Sequence, residues 1–329
     1  MSSASGTIPT RPRLAALGQV DKSLWLPIAV VLGLAAFFAV ATDSFATLRN
    51  FSAITGQAAT LLIVCLGSTF VVLMGSIDLS LGAIVLLVGA GGVTLLNAAH
   101  PGLAIIPLAA AFGGMLGAAN GLVYVFGRIP SFVVTLGSLS VFTGVALQIL
   151  DGRAIQFEAP DFENIAIGQL IPHLPNIALC AIVAWLVVVF VAERTRFGRY
   201  MYIIGGGETV ARTSGIPVRR YKVYAFALSG LLAGVGGILA VARLGAAGPS
   251  LGSDLLLNNL AAIVVGGTSL AGGTGGPHRT LIGVLIIAIL DNGLNLMGVS
   301  QYTQMVIKGA VVIVAVLVSQ DRLRAAVIK

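Results

Sequence analysis

Seven stretches of twenty or more residues contain no Asp, Glu, Lys or Arg: 23–42, 50–77, 79–127, 129–150, 164–192, 223–242 and 255–278. A helix needs about 20 mostly apolar residues to cross the hydrocarbon of a bilayer, and each stretch meets that length. The longest, 79–127, is broken by Asn97, His100, Pro101 and Gly102 and divides into two spans. The segment 280–318 carries only Asp291 and Lys308 and divides into two more, joined near Gly298–Gln301. The expectation is an all-α polytopic membrane protein of about ten transmembrane helices. A β-barrel would alternate apolar and polar residues with period two, whereas Ala29–Val40 and Val311–Val318 are apolar all round.

Charge then gives orientation, because Lys and Arg concentrate in cytoplasmic loops. The N-terminal tail holds Arg11, Arg13 and Lys22; the loop 193–222 holds Arg194, Arg196, Arg199, Arg212, Arg219, Arg220 and Lys222; the C-terminal tail holds Arg322, Arg324 and Lys329. The loop 151–175 carries Asp151, Glu158, Asp161 and Glu163 against one Arg, and should lie outside. Ten helices satisfy all four assignments, with both termini cytoplasmic. The expected organisation is a tail over 1–23, one permeating domain over 24–318 and a tail over 319–329. The first apolar run reads as a retained span rather than a signal peptide. Charged residues are only 9% of the chain, against about 25% in soluble domains. The net charge of +7 therefore serves orientation, and no nucleic-acid partner is expected.

Gly113, Gly117 and Gly121, and again Gly230 and Gly234, recur at four-residue spacing, which lets helix backbones approach closely. Two segments are odder: Gly75-Ser-Ile-Asp-Leu-Ser-Leu-Gly82 and Gly266-Gly-Thr-Ser-Leu-Ala-Gly-Gly-Thr-Gly-Gly276. Irregular backbone survives at membrane depth only under a cover of protein or beside a water-filled cavity. Broken or re-entrant segments are therefore expected near 75–82 and 255–276, the alternative being short loops at the interface. Cys65 and Cys180 lie in apolar runs and suit neither a disulfide framework nor a metal site. None of the four lysines follows a glycine, so a phosphate loop is missing. His100, His173 and His278 stand in different loops, and no hydrolase elbow or zinc-protease motif occurs. A transport or structural role is favoured over an enzyme, with no catalytic residue, metal or cofactor expected on this chain.

Within the basic loop, Gly205-Gly-Gly-Glu-Thr-Val-Ala-Arg-Thr-Ser-Gly-Ile-Pro217 predicts a two-turn helix over Glu208–Ser214. Glu208 sits in the first turn, where the dipole favours an anion; Gly215 is placed to end the helix and Pro217 stops its continuation. A helix this short is unstable alone. Either it docks on a partner, or the loop lies against anionic lipid headgroups.

The stretch Gly198–Pro217 resembles the cytoplasmic coupling segment of permeases in the ribose-type ABC importers. Gly75–Gly82 is similar to that family's glycine–acid signature, and Arg128-Ile-Pro-Ser-Phe-Val-Val-Thr-Leu-Gly137 to its next cytoplasmic turn. Gly266–Gly273 and Asp291-Asn-Gly-Leu-Asn-Leu-Met-Gly-Val-Ser300 match its C-terminal patterns. Departures fall at Gly207, Leu255–Asn259, Asp291 and Gly276-Pro-His-Arg279.

The resemblance implies a monosaccharide permease of the inner membrane that works as a homodimer or paired permease. ATP and Mg would be bound by a separate cytoplasmic ATP-binding subunit, and a periplasmic solute-binding protein would deliver the solute. It implies ATPase-coupling roles for Arg199, Gly205, Gly206, Glu208, Ala211, Arg212, Ser214 and Gly215. Candidate pathway residues are Ser68, Asn120, Asn258, Asn259, Asn292 and Asn295, since amides both donate and accept; the alternative for each is a helix–helix hydrogen bond. Asp291 and Lys308 stand at equal distances from the expected turn at Val299–Ser300, which predicts a buried pair between the last two helices. An ion-coupled secondary transporter using those two charges is the competing function.

Overall fold

The computed structural model describes residues 25–157 and 159–327. The tail expected at 1–23, Glu158 and the last two residues of the tail at 319–329 lie outside the described residues. The described chain is almost entirely helical: α1 (Trp25–Ala41), α2 (Leu48–Leu73), α3 (Leu81–Ala99), α4 (Ile105–Gly127), α5 (Ser131–Leu150), α6 (Pro160–Ile167), α7 (Asn176–Arg194), α8 (Arg196–Gly206), α9 (Glu208–Thr213), α10 (Val218–Leu244), α11 (Leu255–Val265), α12 (Pro277–Leu296) and α13 (Gln301–Val327). Two short strands, β1 (Ile155–Gln156) and β2 (Ala246–Ala247), pair antiparallel.

Among the described residues, seven helical segments are long and apolar enough to cross a membrane, and Trp25–Ala41, Leu255–Val265 and Gln301–Leu317 are shorter apolar helices. α2 is the axis of the fold. It opens on a cap in which Thr47 Oγ1 accepts from the Asn50 amide at 3.2 Å, and every residue from Ala58 to Leu73 is buried. A helix apolar on all sides has nowhere to sit but the middle. α10 packs on α2, α3 and α4, and α12 on α2 and α11, with α1 and α13 at the rim.

The glycine stripes set the α4–α10 crossing. A Cβ at Gly117 would overlap the Phe226 carbonyl and lie 3.0 Å from Gly230 Cα, and one at Gly113 would lie 2.8 Å from Gly234 Cα. Backbone meets backbone here, as the four-residue spacing predicts.

The two ends of the bundle are distinct. At one, β2 pairs with β1, Asn97 Nδ2 donates to the Gln156 carbonyl at 2.9 Å, and Phe157 N donates to Gly245 O. At the other lie the end of α2, the whole of α8 and α9, and the glycine-rich segment before α12.

Both odd segments are breaks in helix. Residues 76–80 are non-helical between α2 and α3, and they reach the level of Ser229, whose Oγ donates to Asp78 at 3.3 Å. Ser229 is 11 residues along α10, or roughly 16 Å from its start, so this segment climbs well into the bundle. The stretch 255–276 is not one span: α11 stops at Val265, and six of the residues from 266 to 276 are glycines, five of them at positive φ (Gly267, Gly272, Gly273, Gly275 and Gly276). The chain between α10 and α11 also turns inward and sets Gly252, at φ +83°, against Gly82 at the start of α3. The two breaks therefore meet inside the protein.

Three expectations need correction. The loop 193–222 is mostly helix: α7 runs to Arg194, α8 fills 196–206, and α10 begins at Val218. Ser214 caps α9 rather than belonging to it. His278 is in the first turn of α12, bonded through Nε2 to Glu193, not in a loop.

Candidate functional site

α8 and α9 form the surface that the sequence singles out. Thr195 Oγ1 caps α8 by accepting from Gly198 N, and Phe197, Met201 and Ile204 face inward at helical spacing. Gly207 reverses the chain into α9. The far end of α9 closes with Gly215 at φ +80°, its N–H donating to Arg212 O at 3.0 Å, while Ile216 N donates to Ala211 O at 3.1 Å. These bonds satisfy carbonyls that a helix end otherwise leaves bare.

Glu208 knits this surface to the membrane helices. Its carboxylate accepts from Arg212 at 2.5 Å and from Lys222 Nζ at 2.7 Å, and Lys222 also donates to the Tyr124 hydroxyl at 2.8 Å. Partial burial alone would raise the Glu208 pKa. The hydrogen bonds and charges of Lys222 and Arg212 outweigh it and hold the carboxyl below the usual carboxylate range. Ala211 is buried against the chain itself, so the apolar side chain that α9 presents outward is Val210, 64% exposed. Arg199, Gly206, Arg212, Ser214 and Gly215 are exposed with it.

Gly205 is different. A Cβ there would fall on the Leu73 carbonyl and the Gly273 amide, and one at Gly272 would lie 3.0 Å from both Gly205 Cα and Gly75 Cα. Gly273 N donates to Leu73 O at 2.8 Å. Three segments remote in sequence thus touch through bare backbone, directly beneath α9.

The six candidate pathway residues do not gather at one place. Asn259 Nδ2 donates to Ser68 Oγ at 3.0 Å. Asn292 and Asn50 exchange two amide hydrogen bonds, 2.8 and 2.9 Å, between α12 and α2. Asn120 Nδ2 donates to Ser80 Oγ at 2.8 Å. Asn258 Nδ2 donates to Asp291 Oδ2 at 3.2 Å. Asn295 is exposed. Asp291 and Lys308 face each other, with Oδ1 and Nζ 3.2 Å apart and side chains 9% and 10% exposed.

The sequence alone did not indicate the partners of Asp78. Its Oδ1 accepts from Ser80 N at 3.0 Å and Ser80 Oγ at 2.6 Å, while Ser138 Oγ donates to Asn120 Oδ1 at 2.6 Å. A chain of hydrogen bonds thus runs from Ser229 through Asp78, Ser80 and Asn120 to Ser138 on α5. It satisfies a carboxyl that would otherwise be costly at this depth. The Asp-x-Ser spacing was the signal available. Among the described residues no group of three or more His, Cys, Asp or Glu side chains could hold a metal ion.

A helical bundle with broken apolar segments, whose basic end carries a short helix, is the architecture of a multi-pass membrane protein. Residues 50–316 match the family described as the permease component of the branched-chain amino acid transport system, and the chain belongs to that family. It is 37% identical over 296 residues to the ribose import permease protein of Escherichia coli K12, covering 89% of this chain and 92% of that one. The ribose import permease protein of Bacillus subtilis 168 is 40% identical over 264 residues, 79% and 81% of the two chains. The D-allose transport system permease protein of Escherichia coli K12 is 35% identical over 290 residues, 88% of each. No solved structure matches the chain. This is the membrane-spanning permease subunit of an ABC importer, a multi-pass protein of the bacterial inner membrane.

Proposed function

We propose that the chain carries a neutral sugar or sugar-like solute inward. In this reading ten passes cross the bilayer, with α11 and residues 266–276 together making one of them, and both termini are cytoplasmic. A cytoplasmic subunit that binds ATP and Mg docks on α9, a second permease copy completes the pathway, and a solute-binding protein delivers the substrate from outside. ATP hydrolysis belongs to the docked subunit.

The carrying observation is α9, a six-residue helix that sets Val210 and Arg212 outward while Glu208 and Lys222 tie it to α10. A helix so short is held by its surroundings, which makes it a firm point of attachment. The competing secondary transporter would use the buried Asp291–Lys308 pair and would have no need of a docking helix at the cytoplasmic end.

The test is uptake in inverted or right-side-out vesicles holding permease, ATPase and binding protein. Val210→Asp should lower ATP-dependent uptake at least tenfold at unchanged permease level. Normal uptake by that variant, or uptake by the wild type without ATP, would refute the assignment.

A further inference from the structure

The break between α10 and α11 encloses a cavity of about 250 Å³. Its wall comes from five helices and one loop: Gln57 and Thr60 on α2, Val85 on α3, Arg243 on α10, Ser250 and Asp254 before α11, Asn258 on α11, and Ala288 and Asp291 on α12. Its rim is at the end opposite α8 and α9, where Leu244, Ser250 and Asp254 are exposed. Its floor is buried, with Thr60 6% and Asn258 7% exposed.

The floor is chemically incomplete. Thr60 Oγ1, Arg243 Nε and Asn258 Oδ1 are buried and have no hydrogen-bond partner. Asp291 Oδ1 has Lys308 Nζ at 3.2 Å but no well-aligned hydrogen bond. Buried polar atoms are nearly always paired, and three unpaired ones on three helices around one cavity, beside the Asp291–Lys308 pair, mark a place that something polar fills. The groups on offer are a guanidinium donor, an amide acceptor, a carboxylate acceptor and a hydroxyl that can act either way. The charges around the cavity cancel: Arg243 and Lys308 against Asp254 and Asp291. A cation or a phosphorylated solute would meet no net opposite charge, whereas a neutral molecule bearing several hydroxyls both donates and accepts.

The placement agrees. Irregular backbone at membrane depth is tolerated where it is buried in protein or lines a water-filled cavity, and here the interruption at Gly252 abuts the interruption before α3.

We propose that this cavity is a solute subsite within the single permease chain, open toward the face where solute arrives, and that it receives a neutral polyhydroxylated molecule. The inference rests on the sugar-importer reading and adds the site.

The test uses the complete importer in cells lacking their own uptake of the probes, D-ribose, D-allose and ribitol, together with deoxy analogues of whichever probe is taken up. Three variants are compared. Thr60→Val is isosteric and removes one hydroxyl, Asn258→Leu removes the amide acceptor, and Ser250→Trp obstructs the exposed mouth without entering the packed floor. Each should lower uptake at least fivefold at low probe concentration, mainly through KM. Thr60→Val and Asn258→Leu should also change the rank order of the deoxy analogues, which a merely structural loss would not do. Wild-type rates and rank order in all three variants overturn the subsite and leave the cavity to water. Reduced rates with an unchanged rank order in the two floor variants overturn it as well. If the wild type takes up none of the neutral probes, the sugar reading itself falls, and the subsite with it.

Discussion

Removing one member of the Asp291–Lys308 pair should damage the protein more than removing both. The two charged atoms are 3.2 Å apart and about nine-tenths buried. At an effective dielectric of about 20 their attraction is about 5 kcal/mol. That gain is set against desolvation of several kcal/mol for each ion. With Lys308→Met, Asp291 retains the Asn258 amide at 3.2 Å but loses its counter-charge. With Asp291→Asn, the Lys308 ammonium is stranded between α12 and α13. Each single change should cost ~3–5 kcal/mol, the range for breaking a buried pair. The double variant has no charge left to bury and should recover about 3 kcal/mol relative to the worse single. The assay is apparent unfolding temperature of the purified permease, followed by size-exclusion chromatography after heating, with all four proteins in one detergent. A double variant no more stable than the worse single one would refute the reasoning, because the pair would then contribute nothing as a pair.

Two further outcomes follow from other contacts. Glu208→Gln releases Arg212 and Lys222, and since the carboxylate is partly exposed its loss should cost under ~1 kcal/mol at neutral pH. Because the folded-state pKa lies below the unfolded one, that contribution is complete above the unfolded value of about 4.3 and fades only as pH falls through the lower folded value. A stability difference between wild type and Glu208→Gln that vanished by pH 6 would contradict the ion pairs. Gly117→Leu should cost ~3 kcal/mol or more by forcing α4 off α10, whereas Gly33→Leu, with nothing within 4 Å, should be tolerated; equal yields of folded protein from the two would refute the close crossing.

The sequence revealed most where one physical quantity decided the outcome. An unbroken apolar run such as Leu61–Leu66 can be solvated only by lipid or protein, and α2 is the buried axis. The helix after Gly207 was legible because its stop signals, Gly215 and Pro217, are local. Charge gaps failed where conformation and solvation part company. The stretch 255–278 has no charge, yet its glycines end α11 after 11 residues. α8 was overlooked for the opposite reason: Arg196 and Arg199 interrupt the apolar count although Phe197, Met201 and Ile204 keep a helical period. The inward turn at Gly252 had little more than spaced glycines to announce it. Partnerships were hidden altogether, because Asn50 and Asn292 are 242 positions apart and an amide does not state whom it will meet.

The meeting of Gly75, Gly205 and Gly272 has a mechanical consequence. Side chains at an interface act as springs, since each can change rotamer and absorb a displacement before it reaches the next backbone. This joint has none. Its contacts run from Cα and amide to Cα and carbonyl, with no space for a side chain at Gly205 or Gly272, and close-packed matter of that kind is hardly compressible. A push on α9 that shifts the end of α8 by more than a few tenths of an ångström must therefore be shared at once by the segment leading to Asp78 and by the segment leading into α12. The end of α8 and both helix breaks thus form one joint with almost no play.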